Sequence, residues 1–141
     1  MSFDEKDILN GRFFTLWVDN EEYAHVKTTK ADSELETQKV AIAGKLGKGV
    51  IITGANGTGE FSVYDIVSDD LPKRINDSIK NGVPFTFDLT AEVENKNTGD
   101  TRRVIIENCT STSLNVLDLD IEKMLEKTYK FEYNPNNVDI E

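Results

Sequence analysis

Apolar and polar residues alternate along most of this chain, which predicts strands more often than helices. The cleanest alternation covers residues 85–94. There Phe85, Phe87, Leu89, Ala91 and Val93 share one face, and Thr86, Asp88, Thr90, Glu92 and Glu94 the other. One face is therefore buried and one is wet or meets a partner. Residues 13–18 (Phe-Phe-Thr-Leu-Trp-Val) form another strand, ended by the turn-like Asp19-Asn20-Glu21-Glu22. Residues 23–29 follow as its hairpin partner, and 31–42 continue as a polar, exposed strand. Further strands are expected at 61–67, 102–109, 114–119 and 128–133, with residues 95–100 as a turn. Residues 121–127 fit either a short helix or a loop.

The period changes once. Leu71, Ile75 and Ile79 form one helical stripe. Ser68 or Asp70 can cap its start, Pro72 suits a first turn, and Gly82 suits a left-handed stop. Six glycines lie between Gly44 and Gly59, which marks residues 36–57 as a long mobile loop or arm containing a short strand at 50–53. The fold class that follows is mainly β (α+β): an antiparallel barrel or sandwich with one packed helix. One domain spans residues 1–141, with a flexible N-terminus over about 1–10 and a polar tail over about 134–141.

Composition narrows the function. Sixteen basic and 26 acidic residues give a net charge of −10, which opposes tight binding to a phosphate backbone. No apolar run reaches the ~20 residues of a membrane span, and the opening residues lack the basic-then-apolar order of a signal peptide. A single cysteine, Cys109, closes no intramolecular disulfide.

No catalytic or cofactor motif survives inspection. Gly54 and Gly59 have phosphate-loop spacing, but Glu60 and Phe61 stand where lysine and a hydroxyl residue are needed. His25 is the only histidine, too few nitrogens for a zinc site and without a placed nucleophile for a triad. Cys109 reads as a buried thiol in a strand. Asp118, Asp120 and Glu122 open like a calcium loop, but Lys123 and Tyr129 occupy the positions that need glycine and glutamate. An acidic surface is the better reading. Three glycosylation sequons (at Asn56, Asn76 and Asn108) have no secretory signal behind them. Neither a cofactor nor a metal is expected. What remains is a strand-rich, acidic body with exposed polar strand faces, which suits assembly through free sheet edges.

Several segments in order carry a resemblance. They are Gly11 with Leu16-Trp17-Val18-Asp19, Ala24-His25-Val26-Lys27, Ile42-Ala43-Gly44-Lys45, and Thr53 through Gly59 with Tyr64 downstream. Lys80-Asn81-Gly82 with Pro84-Phe85-Thr86, Thr101-Arg102-Arg103-Val104, Leu117-Asp118-Leu119-Asp120 and Lys130-Phe131-Glu132-Tyr133 continue the series. Together they resemble the contractile-phage tail tube family of the PBSX phage-like-element type. The chain departs from it in its acidic N-terminus and at residues 125–129, where a Pro-Phe pair is more usual.

The resemblance implies a non-enzymatic subunit of an inner tail tube, with a fold shared with the type VI secretion tube protein. It implies hexameric rings stacked into a conduit for DNA, which passes as non-specific cargo. Tail sheath, baseplate and tape measure proteins are the implied partners. The implied location is the virion tail or a phage-like particle, assembled in the bacterial cytoplasm without a membrane. On this reading Lys39, Lys45, Lys48, Thr53 and Asn56 lie on an arm that meets a neighbouring subunit or ring. Lys73, Arg74 and Asp77 on the helix face the sheath. Asp88, Glu92 and Glu94 line the lumen, where carboxylates repel a passing polyanion, or else lie on the outer surface against a basic sheath. The alternative is the tube of a phage-derived bacteriocin or type VI-like injection device. A small acidic ligand-binding domain or an enzyme is the remote alternative.

Overall fold

Eight strands form one antiparallel sheet, seen in a computed structural model that describes residues 5–141. They are β1 (Phe14–Val18), β2 (Glu21–Glu22), β3 (Val26–Ala41), β4 (Lys48–Tyr64), β5 (Thr86–Glu94), β6 (Thr101–Ser111), β7 (Glu126–Tyr133) and β8 (Val138–Ile140). The spatial order is β2-β1-β5-β6-β7-β4-β3, with β8 on β6. One helix, α1 (Leu71–Asn81), links β4 to β5.

The expected mainly β fold with a single α-helix is observed. The alternating strand at 85–94 is β5, with Phe87 and Leu89 buried and Asp88 exposed between them. Pro72 sits in the first turn of α1, and Gly82 ends it at φ 67° with its N–H on the Ile79 and Ser78 carbonyls. The start is capped by neither of the two expected residues, Ser68 or Asp70, but by Asp69 between them. Asp69 Oδ1 accepts from Leu71 N at 3.1 Å, and Asp70 makes no such bond.

Five local expectations need correction. Residues 36–57 are not a mobile loop. They belong to the two longest strands, β3 and β4, paired from Val26↔Val63 to Ala41↔Lys48. The hairpin partner of β1 is only the two-residue β2. Asp19 and Asn20, at φ 52° and 67°, make a two-residue turn with both central residues left-handed. The chain then leaves at Tyr23, and β1 takes β5 as its long partner. Residues 114–119 form no strand, and β4 stops at Tyr64 rather than continuing to residue 67. The polar tail is partly ordered, because β8 pairs with β6 from Ile106↔Val138 to Val104↔Ile140. Of the N-terminal stretch, residues 1–4 lie outside the described residues. The Lys6 carbonyl is held by the buried Asn95 side chain at 2.7 Å.

The core is one cluster fed by β1, β4, β5, β6, β7 and α1. At its centre Phe61 packs on Tyr129 at 5.1 Å, and Phe131 meets Phe87 edge-on at 5.6 Å. The glycines of β4 serve this packing. A Cβ on Gly59 falls 2.4 Å from the Phe131 ring and 2.7 Å from the Lys30 carbonyl, and one on Gly57 falls 2.4 Å from the Tyr133 ring. What reads as hinge composition is ring clearance inside a strand.

A second knot ties the helix entry to the sheet. Asp69 receives the Tyr23 hydroxyl at 3.4 Å and the Tyr129 hydroxyl at 3.5 Å, and lies 3.4 Å from His25 Nε2. Burial first, and the neighbouring carboxylate second, hold both phenols protonated far above the usual tyrosine range near 10. Cys109 is buried, and burial pushes its thiol up to about 12, so it is an inert core group.

Gly59→Ala is expected to destabilise the fold by about 1–3 kcal/mol through overpacking, measured by urea unfolding. Gly54→Ala, which meets only the movable Glu36 carboxylate, is expected to cost much less. Because the folded state disfavours the phenolates of Tyr23 and Tyr129, stability is expected to hold below pH ~10 and fall above it. In an alkaline titration followed by tyrosinate absorbance, these two rings should ionise only together with unfolding.

Candidate assembly surfaces

β7 covers β4 only as far as Gly57↔Tyr133. Beyond that point residues 34–56 form a two-stranded ribbon, with roughly 25 Å of paired strand. Seven large apolar side chains on it are exposed: Leu35, Val40, Ile42, Leu46, Val50, Ile51 and Ile52. Register puts Lys39, Lys48, Val50 and Ile52 on one face, with Val40 and Ile51 on the other. Between Glu36 and Glu60 there is no acidic residue, while Lys39, Lys45 and Lys48 all lie there. None of these three lysines is in an ion pair among the described residues. Gly44, at φ 79°, lies in the turn at the tip.

Of the five residues expected on the arm, the structure leaves Lys39, Lys45 and Lys48 free and engages the other two within the ribbon. Asn56 donates to Glu36 Oε1 at 2.6 Å. Thr53 is the extra residue of a bulge between Glu36↔Gly54 and Thr37↔Ile52, and its hydroxyl bonds the Glu36 carbonyl at 3.3 Å. Such a bulge twists and bends the strand.

The polar face of the β1-β5-β6 layer carries the three expected carboxylates, each with a different occupation. Glu92 is bridged by Arg103 at 2.9 Å, and that guanidinium also lies 5.8 Å from the Trp17 ring centre. Glu94 pairs with Lys96 at 2.8 Å. Asp88 accepts from Asn108 N at 3.1 Å and so holds the β5–β6 bulge, where Asn108 sits at φ 54°. Two exposed acids missed in the sequence join this side: Glu107 on β6 and Asp139 on β8, opposite Ile105. Strand parity gives Glu107 away once β6 is placed. Asp139 depends on the tail folding back.

On α1, Lys73 and Asp77 are exposed. Arg74 is turned inward, 3.3 Å from Asp19 Oδ2 and 5.2 Å from the Phe85 ring centre. It anchors the helix to the β1–β2 turn. These three residues, the β5 carboxylates and the arm lysines occupy separate regions and make no common site.

A further surface is the irregular segment between β6 and β7. Val116, Leu117, Leu119, Ile121 and Met124 are all exposed there, alternating in part with Asp118, Asp120 and Glu122. With Tyr64 and Glu126 this segment borders an open groove of about 540 Å³. Among the described residues no three His, Cys, Asp or Glu side chains gather to hold a metal ion, and no helix is long and apolar enough to cross a membrane.

The two long margins of the sheet are β3 and the β1–β2 end, and neither has an outer neighbour among the described residues. Free margins and an apolar ribbon describe a surface for joining polypeptides.

The chain is 30% identical over 140 residues to the phage-like element PBSX protein XkdM of Bacillus subtilis (strain 168), covering 98% of this chain and 95% of that protein. In fold it is similar to the sheath/tube terminator of an extracellular contractile injection system, with a TM-score of 0.78 at 12% identity over 95% of this chain and 96% of the other. It is also similar to the tube-terminating cap of the anti-feeding prophage, with a TM-score of 0.77 at 10% identity over 100% and 95%. The phage tail tube protein family matches residues 1–138, and the chain belongs to that family.

Proposed function

We propose that this chain is the repeating subunit of the inner tube of a contractile phage tail or phage-like particle, closing hexameric rings that stack into a conduit for DNA. Family membership makes it a structural component of such a particle rather than an enzyme. The observation that supports the finer reading is the ribbon at residues 34–56. A two-stranded ribbon is marginal alone in water, and this one also exposes seven large apolar side chains. The free margins at β3 and β1–β2 supply the second requirement, since joining unlike edges head to tail closes a ring without leaving an edge. Sheath, baseplate and tape measure proteins are the further partners of this reading, with Lys73 and Asp77 of α1 as the sheath-facing pair.

The β5–β6 face is the proposed bore. The five acids Asp88, Glu92, Glu94, Glu107 and Asp139 outnumber the two cations Arg103 and Lys96 there, so the wall repels phosphate although two of its acids are paired. The neighbours from an injection system and an anti-feeding prophage favour one second reading, the tube of a phage-derived bacteriocin or injection device built on the same subunit.

Concentrated protein is expected to form rings or tubes in negative-stain micrographs. Replacing residues 38–51 by an Asn-Gly turn should leave unfolding free energy within about 1 kcal/mol and abolish the rings. A protein that stays a monomer at every concentration would contradict the reading. Tubes carrying Glu94→Lys and Glu107→Lys should retain short duplex DNA at low salt and release it as salt rises, whereas unmodified tubes should not retain it. Equal retention by both would remove these acids from the bore.

A further inference from the structure

The ribbon and the acidic groove are complementary, and one strand separates them. Lys48 opens β4 at the ribbon end and Tyr64 closes it at the groove. Sixteen residues of rise put them about 50 Å apart, so the two surfaces of one molecule cannot meet. The ribbon end offers Lys39, Lys45 and Lys48 with Ile42, Leu46, Val50 and Ile52, and no acid. The groove offers Asp118, Asp120 and Glu126 around Tyr64, Met124 and Leu125, with Glu122 alongside. Its own cations are already committed: Lys27 bridges Glu126 at 2.7 Å, and Lys123 lies 3.9 Å from Asp120. Asp118 and Glu122 have no cationic partner among the described residues.

We infer that the basic, apolar ribbon end of one copy seats in the acidic groove bordered by residues 118–126 of a second copy. The inference deepens the tube reading and rests on it, by naming the surface that receives the arm. Its physics has two parts. Exposed apolar side chains on both partners, such as Leu46 and Val50 on one and Leu119, Ile121 and Met124 on the other, leave water together. The lysines and carboxylates at the rim select the pairing and its direction. Because plug and socket lie at opposite ends of β4, each docked copy presents a fresh plug and a fresh socket. The contact is heterologous, and it propagates along the strand direction unless a rotation closes it.

A charge-exchange experiment tests this. The arm variant carries Lys39→Glu, Lys45→Glu and Lys48→Glu. The groove variant carries Asp118→Lys, Asp120→Lys and Glu122→Lys. All six positions are exposed, and unchanged thermal unfolding would verify that both variants fold. Each alone is expected to need roughly tenfold or more protein to assemble, because like charges then face each other. Mixing the two should restore assembly, since each variant's plug again meets an opposite socket. In unmodified assemblies, zero-length carbodiimide cross-linking should join Lys39, Lys45 or Lys48 to Asp118, Asp120, Glu122 or Glu126 of another copy.

Assemblies of the single variants at unmodified concentrations, or cross-links from the arm lysines to other carboxylates, overturn the pairing and leave the tube reading intact. Failure of the mixture to recover also overturns it. Failure of the unmodified protein to assemble at all overturns the tube reading and the pairing together.

Discussion

Beyond Gly57, where β4 loses its second neighbour, the chain keeps two strands paired to each other and to nothing else. Backbone hydrogen bonds hold such a ribbon in register, but no core holds it in place. Its apolar residues have no interior to enter, because the sheet body ends at Tyr133. The rest of the molecule is arranged around this projection. The aromatic rings of β7 anchor its root over Gly57 and Gly59, and the bulge at Thr53 bends it just past that root. The margins β3 and β1–β2 leave the sheet open on both sides.

The body that carries the ribbon is conventionally stable. Phe61, Phe131, Leu16 and Leu71 are fully buried, and Asp69 joins the helix entry to Tyr23, His25 and Tyr129. A rigid base under a poorly supported arm divides the labour. The core sets the direction in which the arm points, and a second copy supplies what the arm lacks. Charge follows the same division: a chain of net −10 concentrates three lysines without ion pairs, and no acid, on the outer part of the arm past Glu36, and puts acids on the groove and on the β5–β6 face.

Local signals were enough for much of this. The stripe of Leu71, Ile75 and Ile79 with Pro72 and Gly82 located α1, and strict alternation located β5 and its buried face. Ordered short motifs were enough for the family. Signals failed where the deciding contact is distant or external. Gly57 and Gly59 resemble a loop until Tyr133 and Phe131, more than 70 residues on, are laid over them. Residues 23–29 looked like the partner of β1, but the left-handed Asp19-Asn20 turn gives β1 only two paired residues before the chain departs. Residues 114–119 have the alternation of a strand but join no strand among the described residues; Leu114 packs on the core and Lys127 bonds the Asn115 carbonyl, while Val116, Leu117 and Leu119 stay exposed. Among site residues, Asp88 and Arg74 stand out in the sequence only by their charge. Their positions on a bulge and on the Phe85 ring became visible only with the fold.

Amide hydrogen exchange across residues 37–52, compared between dilute monomer and assembled protein, bears most directly on whether the arm is completed only by another copy. The account predicts exchange within seconds to minutes in the monomer and strong protection after assembly, with the Phe61 and Phe131 strand segments protected in both. Equal protection of 37–52 in the two states, or an arm that still exchanges freely inside assembled material, would contradict it.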